Sequence, residues 1–177
     1  MKIMVINGPN LARLDIRDSS IYGDLNYAEL KSLIEATAAS VGMQADVRQS
    51  NDEATIIGWL HEAADAKLPV IINPAAFTHY SYAIRDAAEL LKAPLIEVHL
   101  SNPMAREEFR HTSVISGVAT GTIAGFGPNS YVAFCALPYR EDSGRGSGDG
   151  YSGTGMRDSG PQPTQNSFLQ DSGGLLQ

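Results

Sequence analysis

Apolar runs of strand length alternate with stretches of helical periodicity along most of this chain, and no other feature constrains the fold as tightly. The runs IMVI within Lys2–Asn7, PVIIN at 69–73 and PLIEVHL at 94–100 are near-continuous in apolar character. Strands buried on both faces read this way, whereas half-exposed strands alternate. Weaker strands are predicted at Gln44–Gln49, around Val47, and at 120–126. Between them, Asn26 can cap a helix with Glu29 completing a capping box. Leu30, Leu33, Ile34, Thr37 and Val41 follow at helical spacing, and Gly42 is the stop signal. Further helices are predicted over 53–66, with Ile56, Ile57, Leu60, Ala63 and Ala64 on one side, and over 82–91 and 130–137. Five strands separated by helices predict an α/β fold of three layers: a five-stranded parallel sheet covered on both faces, flavodoxin-like as the simplest strand order.

Composition shifts sharply after Tyr139. Residues 140–177 are rich in Gly, Ser, Asp, Pro and Gln, too poor in apolar groups to offset the entropy of ordering. The expected organisation is one folded domain over 1–139 and a disordered Gly/Ser-rich tail over 140–177. A solvated extension is the simpler reading of that tail, and a partner-binding role around Phe168, Leu175 and Leu176 is the alternative. The formal net charge of −7 and the lack of a basic stripe exclude non-specific nucleic-acid binding, although a local arginine cluster can still favour an anion within one cleft. Cys135 is the single cysteine, so no intramolecular disulfide forms and a reducing compartment is expected. The N-terminal apolar run breaks at Asn7, too early for a signal peptide, and no stretch reaches membrane-spanning length. The expectation is a cytoplasmic protein without membrane contact.

In open parallel sheets, ligands bind beyond the carboxyl ends of the strands. Polar residues collect there: Asn7, Gly8, Pro9 and Asn10 after the first strand, Asn73 and Pro74 after the third, and Glu97, His99, Ser101 and Asn102 at the fourth. Four histidines, His61, His79, His99 and His111, lack metal-ligand spacing, and GFGP near Gly125 lacks the pattern of a phosphate loop. Lys2, Lys31, Lys67 and Lys92 all lie away from this rim, so imine chemistry is not expected. The pattern therefore predicts neither metal nor cofactor. It leaves histidine, tyrosine, arginine and amides to act on a small-molecule substrate.

Each candidate has a competing structural reading. Glu97 lies two residues before His99, on the same strand face, where it can orient the imidazole for acid–base work or form an ordinary polar pair. Tyr22 shares the long loop from Gly8 to Leu25 with Arg13 and Arg17. That loop has few core-forming residues and reads as a lid. A phenol of ordinary pKa is ionised to only about one part in a thousand at pH 7, and a nearby guanidinium favours the tyrosinate. The same tyrosine would also serve as a loop anchor. Arg106 and Arg110 are four apart in MAREEFRH, which predicts one helical face, either at the site or solvated and paired with Glu107 or Asp86. His79, in AAFTHYS, is expected at the start of a helix, where capping is the default.

Taken in order, INGPNL (6–11), Arg17 followed by IYG (21–23), RQSN (48–51), INPAAFTHYSYAIRDA (72–87) and IEVHLSN…AREEFRH (96–111) closely resemble the type II 3-dehydroquinate dehydratase family. The resemblance covers about 2–137. It implies anti elimination of water from 3-dehydroquinate to 3-dehydroshikimate through an enolate-like intermediate. Both aromatic amino acid biosynthesis by the shikimate pathway and quinate catabolism use this reaction. By the same resemblance, Tyr22 as tyrosinate is the base, Arg17 lowers its pKa, Asn10 holds the water that stabilises the enolate, and His99, oriented by Glu97, protonates the departing hydroxyl. Asn73, His79 and Arg110 bind substrate hydroxyls, Leu100 and Ser101 hold the carboxylate, and Arg106 supports the site from behind. Assembly as a homododecamer built of trimers is implied, with Asp86 reaching a neighbouring subunit's site.

The chain departs from the family pattern at Asp15, where the lid usually carries glycine, and at Ser19, where proline is frequent. Pro103-Met104 replaces an aliphatic–histidine pair, and Gly117 replaces a proline. These changes bear on the lid, on turnover and on substrate range. The rival readings are a dehydratase of a related hydroxy acid and a non-catalytic binding protein on the same scaffold. A nucleotide binder of flavodoxin type is a third, set back by the missing phosphate loop.

Overall fold

The strands β1 (Lys2–Asn7), β2 (Gln44–Gln49), β3 (Val70–Asn73), β4 (Leu95–His99) and β5 (Gly121–Ala124) form one parallel sheet in the order β2-β1-β3-β4-β5. They are seen in a computed structural model that describes residues 1–16 and 25–136. The expected three-layer α/β architecture is therefore present, with the flavodoxin-like strand order.

Side-chain alternation along the strands sorts the core into two halves. From β1, Met4 and Ile6 face one side, where they meet Ile56, Leu60 and Ala63 of α2 (Glu53–Asp65) and Ile84, Ala87 and Ala88 of α3 (Tyr82–Glu89). Ile3 and Val5 face the other side, against Leu30, Ile34 and Ala38 of α1 (Tyr27–Ser40) and Tyr131 of α4 (Asn129–Ala136). Helices on both faces explain why all four residues of β3 are buried, and why the strand runs read as continuous apolar stretches.

The capping box at α1 forms as expected: the Glu29 amide donates to Asn26 Oδ1 at 3.0 Å, and the Asn26 amide donates to Glu29 Oε2 at 2.9 Å. The buried stripe of α1 centres on Leu30, Ile34 and Ala38, while Val41, expected on that stripe, is exposed beyond the helix end. Gly42 then takes a left-handed φ of 75°, the conformation expected of a helix stop. β5 is shorter than predicted because Gly125 turns the chain with φ 93°.

The structure departs from expectation at two further places. The segment after β1 contributes to the core: Leu11–Ile16 forms short 3-10 turns that bury Leu11 and Leu14. Residues 103–110 do not form one helix. Pro103–Ala105 and Glu108–Arg110 are separate 3-10 turns, divided at Arg106 by extended backbone (φ −119°, ψ −165°). Pro103 can open a turn, but it supplies no amide hydrogen to a longer helix.

Candidate active site

The strand order switches direction between β1 and β3, and the segments leaving those strands are locked together. The Gly8 amide donates to the Asn73 carbonyl at 2.8 Å. A β-carbon at Gly8 would stand 2.5 Å from the Pro74 carbonyl oxygen, so only glycine permits this approach. Asn10 follows with φ 67°, a left-handed conformation that asparagine tolerates better than most residues. Its amide donates to Asn51 Oδ1 at 2.9 Å. On the other side, Ala75 is also left-handed, with φ 53°, and its amide donates to Asn73 Oδ1 at 3.2 Å. An alanine held there stores local strain of about 1 kcal/mol, a frequent companion of functional sites.

These segments open a cavity of about 150 Å³ at the carboxyl ends of the strands. It is lined by Pro9, Asn10, Leu11, Asn73, Ala75, Ala76, His79, His99, Leu100, Ser101, Pro103, Arg106 and Arg110. Asn10, Asn73, His79, His99, Leu100, Ser101, Arg106 and Arg110 were all singled out from sequence, and the fold brings them together. Glu97 sits behind this lining and Asp86 is exposed on α3; neither lines the cavity. Tyr22 and Arg17 lie outside the described residues, as does Ser19.

His99 ends β4 nearly buried, and its Nε2 lies 2.8 Å from Glu97 Oε1. With Nε2 committed to the carboxylate, Nδ1 is the ring nitrogen left for proton exchange. Glu97 is fully buried and accepts three further hydrogen bonds: from Thr78 Oγ1 at 3.0 Å, from Ser113 Oγ at 2.9 Å, and from Ser116 Oγ. Burial alone would raise its pKa. The bonds from His99, Ser116 and Ser113, together with the His99 charge, outweigh burial and hold the carboxyl below its ordinary value. Glu97 is thus an anion that fixes one imidazole tautomer.

The arginines act at short range. Arg106 Nη1 donates to Ser101 Oγ at 3.4 Å, and its Nε stands 3.4 Å from Glu107. Arg110 grips Glu107 through Nε at 2.8 Å, which holds that exposed carboxyl down at about 2. His79 does not cap a helix. It closes the 3-10 turn Ala75–His79, its Nδ1 lies 2.8 Å from the Thr112 carbonyl, and Ser81 caps α3 instead.

Sequence reasoning missed the groups beneath the rim. Thr78, Ser113 and Ser116 carry no motif visible in a single sequence; only the fold shows that they converge on Glu97. Asn7, read as a rim residue, is fully buried, and the Tyr131 hydroxyl donates to its Oδ1 at 2.6 Å. A polar residue at a strand end next to a buried aromatic would have been the available signal. Asp15 takes no left-handed conformation and pairs with Arg13 at 3.5 Å, so glycine's freedom is not required there. Gly117 leaves room for Arg85, whose Nη1 would stand 3.2 Å from a β-carbon at that position. Among the described residues, no group of three or more His, Cys, Asp or Glu side chains could hold a metal ion. No helix among them is long and apolar enough to cross a membrane.

The family model described as dehydroquinase class II matches residues 1–137. A 3-dehydroquinate dehydratase of Mycobacteroides abscessus is 58% identical over 132 residues, covering 75% of this chain and 92% of that protein. One from Salinispora tropica is 53% identical over 131 residues, covering 74% and 92%. The crystal structure of type II dehydroquinase from Propionibacterium acnes superposes with a TM-score of 0.74 at 48% identity, covering 76% of this chain and 92% of that one.

Proposed function

We propose a proton-transfer scheme for this chain, which belongs to the class II dehydroquinase family and is a hydro-lyase that dehydrates 3-dehydroquinate. The observation that carries the scheme is the hydrogen bond between His99, which lines the cavity, and the buried Glu97 behind it. Glu97 holds His99 Nε2, and protonated Nδ1 delivers its hydrogen to the departing hydroxyl, which leaves as water. Tyr22, ionised and assisted by Arg17, takes the proton alpha to the ketone on the opposite face, giving anti elimination through an enolate-like intermediate. A water held by Asn10 stabilises that enolate. His99 ends neutral and Tyr22 ends protonated, and one proton passed back through solvent restores both.

The remaining residues bind. Leu100, through its amide, and Ser101 take the substrate carboxylate, and Arg106, beside Ser101 on the cavity wall, steadies the Ser101 hydroxyl. Asn73, His79 and Arg110 take the substrate hydroxyls. No step in the scheme calls on a metal or cofactor. Residues 1–139 form the catalytic domain, and 140–177 are an extension outside it. The protein works in the cytoplasm as a homo-oligomer, a dodecamer built of trimers, in which Asp86 completes a neighbouring site. The exposed stripe Tyr82, Asp86 and Leu90, spaced four apart along α3 and just past its end, supports a subunit contact there.

Ultraviolet absorbance after mixing the protein with 3-dehydroquinate in chelator tests the scheme. The conjugated enone of the product should appear with wild-type protein. Tyr22→Phe and His99→Ala should each retain less than about one hundredth of the turnover, in line with typical proton-transfer contributions. A Tyr22→Phe protein with more than a tenth of wild-type turnover would remove Tyr22 as the base.

A further inference from the structure

Beneath the cavity, three fully or nearly buried polar side chains from β1, β3 and α4 meet at one hydroxyl: Asn7 (0% exposed), Asn73 (4%) and Tyr131 (1%). The Tyr131 hydroxyl donates to Asn7 Oδ1 at 2.6 Å and accepts from Asn73 Nδ2 at 3.0 Å. We propose that Tyr131 is a positioning residue for the dehydration: its buried hydroxyl fixes which way round the Asn73 carboxamide faces the substrate. The proposal rests on the reading of Asn73 as a substrate-binding group.

Hydrogen-bond polarity sets that orientation. Asn7 Nδ2 donates to the Arg48 carbonyl at 3.3 Å, and a carbonyl oxygen can only accept. This turns Asn7 Oδ1 towards Tyr131, and a phenol has a single hydrogen to give. That hydrogen goes to Asn7, so towards Asn73 the phenol oxygen must accept, which selects Nδ2. At the opposite edge of the same carboxamide, Oδ1 accepts from the Ala75 amide at 3.2 Å. Rotating the Asn73 carboxamide by half a turn would set oxygen against oxygen at Tyr131 and hydrogen against hydrogen at Ala75. Both contacts therefore oppose the flip, in a buried setting where unmatched polar groups are costly. One Nδ2 hydrogen and one Oδ1 lone pair remain for the cavity, in fixed places. A ligand hydroxyl there meets a defined donor and a defined acceptor instead of a carboxamide averaging over two orientations.

The polarity chain begins at a main-chain carbonyl on β2, passes through the ends of β1 and α4, and finishes on β3 at the switch in strand order. Burial pushes the Tyr131 phenol well above its ordinary range, despite the hydrogen bond from Asn73. The phenol thus keeps its single hydrogen throughout the working pH range. Its part is fixed orientation, with no proton transferred.

Steady-state kinetics of the full-length chain on 3-dehydroquinate test this with Tyr131→Phe, Asn73→Ala and the double variant. Tyr131→Phe should raise KM about tenfold with kcat changed less than twofold, the pattern of lost binding common to ground and transition states. In the Asn73→Ala background, Tyr131→Phe should raise KM no further, because the group it orients is gone. A structural role alone would act equally in both backgrounds, and that result overturns the proposal, as does an unchanged KM in the single Tyr131→Phe variant. If Asn73→Ala itself leaves KM unchanged, the reading of Asn73 fails first and takes the proposal with it, a distinguishable result. Should Tyr131→Phe not fold, 3-fluorotyrosine at position 131 keeps the ring and hydroxyl while weakening the oxygen as an acceptor. It should raise KM about twofold in the Asn73 background and not in Asn73→Ala. An equal KM in the Asn73 background, or equal effects in both, overturns the proposal.

Discussion

At the scale of single residues, Glu97 couples stability to chemistry through one carboxylate. It is buried, it accepts from His99, Thr78, Ser113 and Ser116, and its pKa is held below the ordinary 4.5. A carboxyl depressed in the folded state contributes stability that is fully present above its unfolded value. That contribution fades as pH falls from about 4.5 through the lower folded value. Glu97→Gln should therefore lower the unfolding free energy by about 3 kcal/mol at pH 7, because donors arranged for an anion face a neutral amide. The difference between wild type and variant should shrink as pH falls from about 4.5 through the depressed folded value, below which the wild-type carboxyl is itself protonated. Thermal unfolding of both proteins across that range checks this, and a gap independent of pH would mean that Glu97 is not the ionised partner. Turnover at pH 7 should fall by about a hundredfold, since glutamine can orient the imidazole but cannot stabilise its cation.

At the scale of elements, the helices and strands were legible because short-range rules determine them. Asn26 and Glu29 formed the capping box, and the apolar runs at β1, β3 and β4 became the buried strands. The site's rim was legible too, since strand ends in a parallel sheet lie on one edge. What sequence could not supply was depth. Asn7 and Asn10 are three residues apart, yet one is fully buried and the other exposed at the cavity. The missed Thr78, Ser113, Ser116 and Tyr131 act through contacts made only once the sheet and its loops are assembled. The expected helix through Arg106 and Arg110 failed because spacing alone ignores the proline that opens the turn before it. The lock between the β1 and β3 exits depends on Gly8. Gly8→Ala places a β-carbon within 2.5 Å of the Pro74 carbonyl oxygen and must push the two segments apart. It should cost about 3 kcal/mol of stability, as overpacking against rigid backbone does. KM should rise by more than tenfold, because Asn10 and Asn73 move with those segments. A Gly8→Ala protein with wild-type melting temperature and KM would show that the approach is not needed.

At the scale of the whole molecule, the proposed part of Asp86 in a neighbouring subunit's site can be separated from a part in its own. Asp86 lies on the exposed face of α3 and does not line the cavity of its own subunit, although it belongs to a motif whose other members, Asn73 and His79, do. On that face Tyr82 and Leu90 stand 67% and 54% exposed on either side of it. If Asp86 serves a neighbour, its loss and the loss of His99 strike different sites in the same assembly. Subunits carrying Asp86→Ala alone should be nearly inactive, and so should subunits carrying His99→Ala alone. Co-expressed in one cell with distinguishable tags, and purified through both, the mixed assemblies should regain a substantial fraction of activity. Some interfaces then pair an intact His99 on one subunit with an intact Asp86 on the next, and each such pairing rebuilds a whole site. If Asp86 instead acts within its own chain, or only on folding, no combination of these two subunits contains a complete site. Mixed assemblies would then stay as inactive as their parents, and light scattering of the same samples would report whether they had assembled.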